Sequence, residues 1–340
     1  MSIVGSALFG AGVRLRNALY ERGIVKPRHL AGPVISIGNL AVGGSGKTPF
    51  TILLGELLRA RGIAFDVLSR GYGRTSRGVH SVDPLGTAAE FGDEPLLIAR
   101  KLHVPVIVGE DRYAAGAWAE RESPRLHLLD DGFQHRQLAR DFDIVLVTPD
   151  DLRDRLLPAG RLREPLAALR RADAIVLSAG ASGDQLRLRD GQKLWRLKRG
   201  ILPPRTMPAR PVAFCGIARP QNFFLQLRKA DVEPAAEAAF RDHYRYSERD
   251  IRDLQALAMQ SEADGFVTTE KDEVNLGALA QQLRPLTIVP LRVQWEDAQA
   301  ALDSLLATLR ARCPQWAGTV AAPQPLLDGS NDFGRPAQGS

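Results

Sequence analysis

Cysteine is nearly absent from this chain. Cys215 and Cys313 are its whole complement, which excludes a disulfide framework and a cysteine zinc site and fits a reducing, cytosolic setting. No apolar run approaches the roughly 18 to 20 residues that a bilayer-spanning helix needs, so none is expected. Internal repeats are missing too. The N-terminal arginines follow an apolar stretch instead of preceding it, the reverse of a secretory signal. No zinc-finger, RRM or KH signature accompanies the basic charge, so nucleic acid is not the expected partner.

What is present is ordinary soluble composition, 44% hydrophobic and 25% charged over 340 residues, long enough for two domains. The formal net charge of +6 points to an anionic partner, and it is unevenly placed: residues 151–200 hold 12 Lys or Arg against 6 Asp or Glu. A second basic cluster, Arg14, Arg16, Arg22, Lys26 and Arg28, faces the single acid Glu21. Val4, Leu8, Ala11, Leu15 and Leu19 fall at helical spacing, so residues 1–30 read as an amphipathic helix region. Such a helix either lies on an anionic membrane surface or packs on the protein's own core.

The densest signal follows. The apolar run Val34-Ile35-Ser36-Ile37 empties into Gly38-Asn39-Leu40-Ala41-Val42-Gly43-Gly44-Ser45-Gly46-Lys47-Thr48. Glycines let successive N–H groups curl around a triphosphate, Lys47 brings a positive charge to it, and the Thr48 hydroxyl suits Mg²⁺. Ala41 stands where the usual pattern has its first glycine, but Gly43, Gly44 and Gly46 still supply the flexibility. Residues 49–61 read as a helix with Pro49 in its first turn, so its positive end faces the same phosphates. Ala41 to Thr48 is therefore the expected ATP-binding loop.

Short β-branched runs at 34–37, 64–69, 104–108, 126–129, 144–148 and 174–178 alternate with helical segments. That pattern predicts an α/β protein: a P-loop NTPase-like parallel sheet domain over residues 31–200, with a second, smaller α/β domain over 201–316. The stretch 193–210, with its prolines and basic residues, reads as a linker, and 297–312 as a helix closing the smaller domain. Residues 317–340, rich in Gly, Pro, Ala and Ser, are expected to be a disordered tail.

Strand 126–129 runs into Asp130-Asp131, one of which should hold the Mg²⁺ that a P-loop requires. Arg70 and Arg74, between glycines after a strand, suit either a phosphate contact or an exposed turn. Asp93 and Glu94 precede a helix, where a capping role competes with a catalytic one, and Arg161 and Arg163 flank a third turn. Asp332-Phe333-Gly334 copies a kinase triplet without its catalytic loop, and Thr269-Glu270-Lys271-Asp272 has the wrong order for reading guanine.

Taken together, the blocks at 38–49, 68–74 (Leu-Ser-Arg-Gly-Tyr-Gly-Arg), 92–95 (Gly-Asp-Glu-Pro), 108–112, 129–135, 156–165, 216–220, 242–244 and 269–272 resemble the tetraacyldisaccharide 4′-kinase family, from about Leu19 to Val274. The resemblance implies transfer of the ATP γ-phosphate to the 4′-hydroxyl of a tetraacyldisaccharide 1-phosphate in lipid A biosynthesis, by a peripheral enzyme at the cytoplasmic face of the bacterial inner membrane. It implies that Lys47 and Thr48 bind phosphates and Mg²⁺, and that Asp130, Asp131 and Glu94 belong to the metal neighbourhood. Asp93 becomes the implied base, with His243 its partner across a cleft, while Arg163, Arg70, Arg74 and Arg161 are implied substrate or phosphate contacts. A nucleotide-driven switch or chaperone ATPase would share the P-loop but transfer phosphate only to water. A mere membrane-binding protein would leave that loop unexplained.

Overall fold

A computed structural model describes residues 2–121, 125–184 and 186–316; the expected tail at 317–340 lies outside the described residues. Thirteen strands are present among them: β1 (Val34–Asn39), β2 (Phe65–Ser69), β3 (His80–Ser81), β4 (Val106–Val108), β5 (Leu126–Asp130), β6 (Phe142–Val147), β7 (Ala174–Ser178), β8 (Lys193–Ile201), β9 (Pro211–Cys215), β10 (Ala236–Ala239), β11 (Gly265–Thr269), β12 (Leu286–Val289) and β13 (Leu291–Trp295). The α-helices are α1 (Ser2–Glu21), α2 (Lys47–Ala60), α3 (Ala88–Phe91), α4 (Asp93–Leu102), α5 (Arg112–Ala119), α6 (Pro220–Lys229), α7 (Glu248–Gln260), α8 (Glu270–Leu276) and α9 (Ala298–Arg312).

The large sheet runs β13-β8-β7-β6-β1-β5-β2-β4-β3 and is parallel except at its two edge strands; a smaller parallel sheet runs β10-β9-β11-β12. The inner strands are buried along their whole length, which is why they read as continuous apolar runs. Ile35, Ile37, Leu128, Ile144 and Val176 pack against Phe50, Leu54 and Leu58 of α2 and Leu302, Leu305 and Leu309 of α9. Val34, Leu68, Ile107 and Leu129 face the other way, against Ala115 and Ala119 of α5. A chain of aromatic rings stiffens the first layer: Phe142 stacks on Trp195 at 6.0 Å, Trp195 meets Trp295 at 4.8 Å, and Trp295 meets Phe50 at 5.2 Å.

Two sequence-based assignments are corrected here. Residues 193–201 form a strand, not a linker: Trp195 and Leu197 turn inward between exposed Arg196 and Lys198, a period-two pattern hidden by the charge of its outward residues. The closing helix α9, expected on the smaller domain, packs on the large sheet, because β13 pairs antiparallel with β8 and brings the chain back there. The smaller sheet thus spans β9 to β12 and is inserted between two neighbouring strands of the larger one.

The N-terminal helix is docked on the protein along one face and open to solvent on the other. One face is docked: Ser6 Oγ donates to the Leu156 carbonyl at 2.9 Å, and Asn17 Nδ2 donates to the buried Glu164 carboxylate at 2.8 Å. Leu8 and Leu15 on the other face are 71% and 64% exposed, and Ile24 beyond the helix is 66% exposed. The side chain of Val4, the first member of the expected stripe, lies outside the described residues.

Candidate active site

Parallel strands place their C-terminal ends at one rim, and the chemistry gathers there. Ile37 of β1 is in register with Asp130 of β5, so the loop leaving β1 and the acidic pair ending β5 are neighbours. The loop is held by its surroundings: the Val42 N–H donates to the Arg161 carbonyl at 2.8 Å, and the Arg163 N–H to the Leu40 carbonyl at 2.6 Å. Gly43 and Gly46 adopt φ of 86° and 87°, a region where a side chain would strain the backbone. Gly46 then caps α2, leaving its first N–H groups directed into the loop.

Lys47 Nζ donates to Asn39 Oδ1 at 3.2 Å and lies 3.6 Å from Asp131. Arg163 grips the same Asp131 with two bonds of 2.8 and 3.0 Å and also contacts Asn39 Oδ1. Burial would push the Asp131 carboxyl up, but Lys47 and Arg163 outweigh it and hold the group far below the usual carboxylate range. Asp130 is the opposite case. It is fully buried, takes a hydrogen bond from Thr51 Oγ1 at 3.2 Å, and is pushed up to about 7 by burial and by the charges of Glu94 and Asp131. Asp130 and Thr48 line the same cavity, and that hard-oxygen chemistry fits Mg²⁺. Among the described residues no group of three or more His, Cys, Asp or Glu side chains could hold a metal, so Mg²⁺ would take its remaining ligands from phosphate and water.

The second cluster joins the two sheets. Asp93 opens α4, where its carboxylate accepts from the Glu94 N–H at 2.9 Å and benefits from the positive helix end. Gly92, not Asp93, occupies the capping position. His243, held at φ 58°, donates from Nδ1 to Asp93 at 2.8 Å, and Asn275 donates to it at 3.2 Å. Lys271, on the first turn of α8, reaches Asp242 at 2.8 Å, Asp93 at 3.6 Å and Glu94 at 3.8 Å. Burial raises the Asp93 carboxyl, yet the His243 hydrogen bond, Lys271 and Asn275 more than offset this and bring it down to about 2. Burial pulls the His243 imidazole down, while its bond to Asp93 wins and leaves it raised. The pair is therefore an ionised carboxylate bonded to an imidazole that favours its charged form, with Tyr72 against the ring at 5.0 Å.

The phosphate loop and its acidic pair, together with Glu94, Asp242, His243 and Lys271 of the second cluster, line one cavity of about 1640 Å³, while Asp93 is buried behind His243; the space exceeds the roughly 300–1,000 Å³ of a single small-ligand pocket and is roomy enough for two substrates. Its walls include Val42 to Thr48, Glu94, Asp130, Asp131, Arg70, Arg163 and His243. Ala41 lies behind the loop, buried against Leu162. Arg74 and Arg161 do not line the cavity: Arg74 is spent on Glu110 at 2.7 Å and the Gly78 carbonyl, and Arg161 on Asp154 at 2.9 Å. Both guanidinium groups are held by local carboxylates in turns outside this cavity.

Several residues that line or brace this space carried no expected role. Asn39 orients Lys47 and Arg163, Arg112 is buried at the cavity wall, and Lys271 and Asn275 flank Asp93. The Thr-Glu-Lys-Asp block was the available signal for Lys271. Thr269 caps α8 while Asp272 turns inward to the Gly216 N–H at 2.7 Å and Tyr246 at 2.8 Å, which fixes Lys271 toward the cavity.

A glycine-rich loop between a central parallel strand and a helix, an acidic pair at the end of the neighbouring strand and a histidine that lines the same cavity with a buried carboxylate behind it define a P-loop phosphotransferase. The sequence profile described as Tetraacyldisaccharide-1-P 4'-kinase matches residues 3–310, so the chain belongs to that family of kinases. It is 52% identical to the tetraacyldisaccharide 4'-kinase of Koribacter versatilis, over 90% of this chain and 98% of that one. Against the Aquifex aeolicus protein of the same name it is 39% identical, over 80% and 88% of the two chains. The crystal structure of "apo" form LpxK from Aquifex aeolicus in complex with ATP superposes with a TM-score of 0.72 at 34% identity, covering 90% of this chain and 98% of that one.

Proposed function

We propose that this chain transfers the γ-phosphate of ATP to the 4′-hydroxyl of a tetraacyldisaccharide 1-phosphate, with Asp93 as the group that receives the hydroxyl proton. The observation that carries this reading is His243, which lines the cavity that also holds the phosphate loop and is hydrogen-bonded to the buried Asp93 at 2.8 Å. Lys47 and the α2 N-terminus would hold the β- and γ-phosphates. Arg163, already neutralising Asp131, is placed to shift part of its charge to a transferring phosphoryl group. His243 fixes the direction of the Asp93 lone pairs, and Lys271 keeps that carboxylate ionised. In such transfers the proton leaves late, so a carboxylate at about 2 serves by orienting the hydroxyl more than by pulling on it. Mg²⁺, bound with the nucleotide through Thr48 and Asp130, would supply charge neutralisation at the phosphates. Arg70 and Arg112 suit the acceptor side of the cavity.

The direct test is ADP formation by the purified chain with and without a dispersed tetraacyldisaccharide 1-phosphate. Turnover is expected only with the lipid and should match the appearance of a bisphosphorylated product; equal ATP consumption without it would mean a plain ATPase.

The acceptor is a lipid, and no helix of the described residues is long and apolar enough to cross a membrane. The exposed Leu8 and Leu15 of α1, with Arg14 and Arg22 beside them, fit peripheral contact with an anionic surface at the cytoplasmic face of the inner membrane. Replacing both leucines (Leu8→Glu with Leu15→Glu) leaves the docked face of α1 intact. Co-sedimentation with anionic vesicles should fall roughly tenfold or more, with ATP affinity unchanged. Equal sedimentation of the variant and the parent would remove α1 as the membrane contact.

A further inference from the structure

Arg199 lies on β8, in the stretch whose charge and prolines read as a linker, and its side chain ends against the phosphate loop. An atom added at Gly46 in the Cβ position would sit 1.6 Å from Arg199 Nη2 and 2.3 Å from Cζ, so the guanidinium rests directly on the loop glycine. Its Nε and Nη2 atoms are buried and find no acceptor, and Nη1 has only a marginal 3.5 Å approach to the Gly44 carbonyl. None of the ion pairs among the described residues includes it. The neighbouring cation Arg219 has its own partner, Asp150, at 2.9 Å.

This placement is unfavourable in the free protein on three counts. The guanidinium stands at the N-terminal end of α2, where the helix dipole is itself positive and repels a cation. Lys47 and Arg219 add further positive charge to the same loop. Burial and Arg219 pull the Arg199 guanidinium down to about 10, with Asp151 the sole opposing influence. A buried charge without a partner is costly, and unmet donors add to that cost. An anion in the loop removes all three penalties together.

We infer that Arg199 is a ligand of the nucleotide's polyphosphate chain, reaching the loop from the strand that leads into the smaller sheet and donating its free N–H groups to phosphate oxygens. This rests on the ATP-site reading above. It assigns the loop a second cation besides Lys47, one fixed by the β8–β13 pairing of Arg199 with Val293 and not by the loop's own sequence. A planar, forked donor suits two phosphate oxygens at once, which a lysine cannot match.

Titration calorimetry of ATP, ADP and AMP into the parent chain, Arg199→Met and Arg199→Lys tests this. Arg199→Met should weaken ATP roughly ten- to hundredfold, with a loss that shrinks from ATP to ADP to AMP, and Arg199→Lys should recover only part of it. Without nucleotide, the Arg199→Met protein should melt at the same temperature as the parent or higher, because an unpaired buried cation has gone. ATP binding by Arg199→Met within twofold of the parent would overturn the inference. So would an equal loss for all three nucleotides, or a strongly lowered melting point of the free protein, since each makes Arg199 a brace for the loop. Failure of the parent itself to bind ATP would instead strike the ATP-site reading.

Discussion

Lys47→Ala should reduce phosphoryl transfer by roughly 10³-fold or more, about 4 kcal/mol of transition-state stabilisation, while the protein stays folded. The side chain contributes one hydrogen bond to Asn39 and a 3.6 Å approach to Asp131. Arg163 still holds both of those partners in the variant, so no unpaired acid is left behind on that side. What disappears is the mobile charge that meets negative charge developing on the phosphates. Single-turnover kinetics beside thermal melts separate the two effects. Parental turnover in a well-folded Lys47→Ala protein would exclude this loop as the ATP site.

Asp93→Asn should lower kcat roughly 10²- to 10⁴-fold with little change in the KM for ATP, because the amide keeps the shape but cannot receive the hydroxyl proton. A purely structural role predicts the reverse: a shifted melting temperature and near-normal turnover. The pH profile adds a second check. Asp93 is held at about 2, so in the parent chain it stays ionised and should impose no acid limb near neutrality. His243→Ala removes both the hydrogen bond and the charge that lower it. The Asp93 pKa must then rise, and the fall of kcat on acidification should move to higher pH. An unmoved profile in His243→Ala would mean that the two side chains do not act as a pair.

How much of this could be read beforehand depended on the range over which each feature is encoded. The phosphate loop is local: strand, glycines, Lys47 and Thr48 follow one another, and their chemistry needs no distant partner. The large sheet was legible for a related reason, since strands such as β1, β6 and β7 are buried on both faces and carry unbroken apolar runs. Strand β8 was not. Its outward positions are lysines and arginines, and the prolines that follow belong to the crossing toward the smaller sheet, so composition suggested a linker. The link between Asp93 and His243 spans 150 residues, and the residues by themselves left Asp93 between a capping and a catalytic role and His243 an ordinary histidine. Family resemblance suggested the pairing, and the folded chain supplies its distance. Arg74 and Arg161 illustrate a different limit. Glycines around an arginine suggest an open phosphate contact, but whether the guanidinium is free depends on acids elsewhere, here Glu110 and Asp154. Asp130 and Asp131 could not be told apart in sequence either. Arg163, from 32 residues further on, claims Asp131 and leaves Asp130 to the Thr51 hydroxyl.

The ring chain from Phe142 through Trp195 and Trp295 to Phe50 gives the molecule a built-in optical division. All four tryptophans, Trp118, Trp195, Trp295 and Trp316, fall outside residues 211–289, so the smaller sheet is silent in indole emission and carries Tyr244 and Tyr246 as its own chromophores. Trp195 and Trp295 sit instead on the two neighbouring strands from which the smaller sheet is inserted, with Phe50 of the phosphate-loop helix at the end of the row. Fluorescence from this chain is therefore a signal of the nucleotide-bearing half and of its closure by β13, and a loss of order confined to the inserted half would pass almost unseen in it.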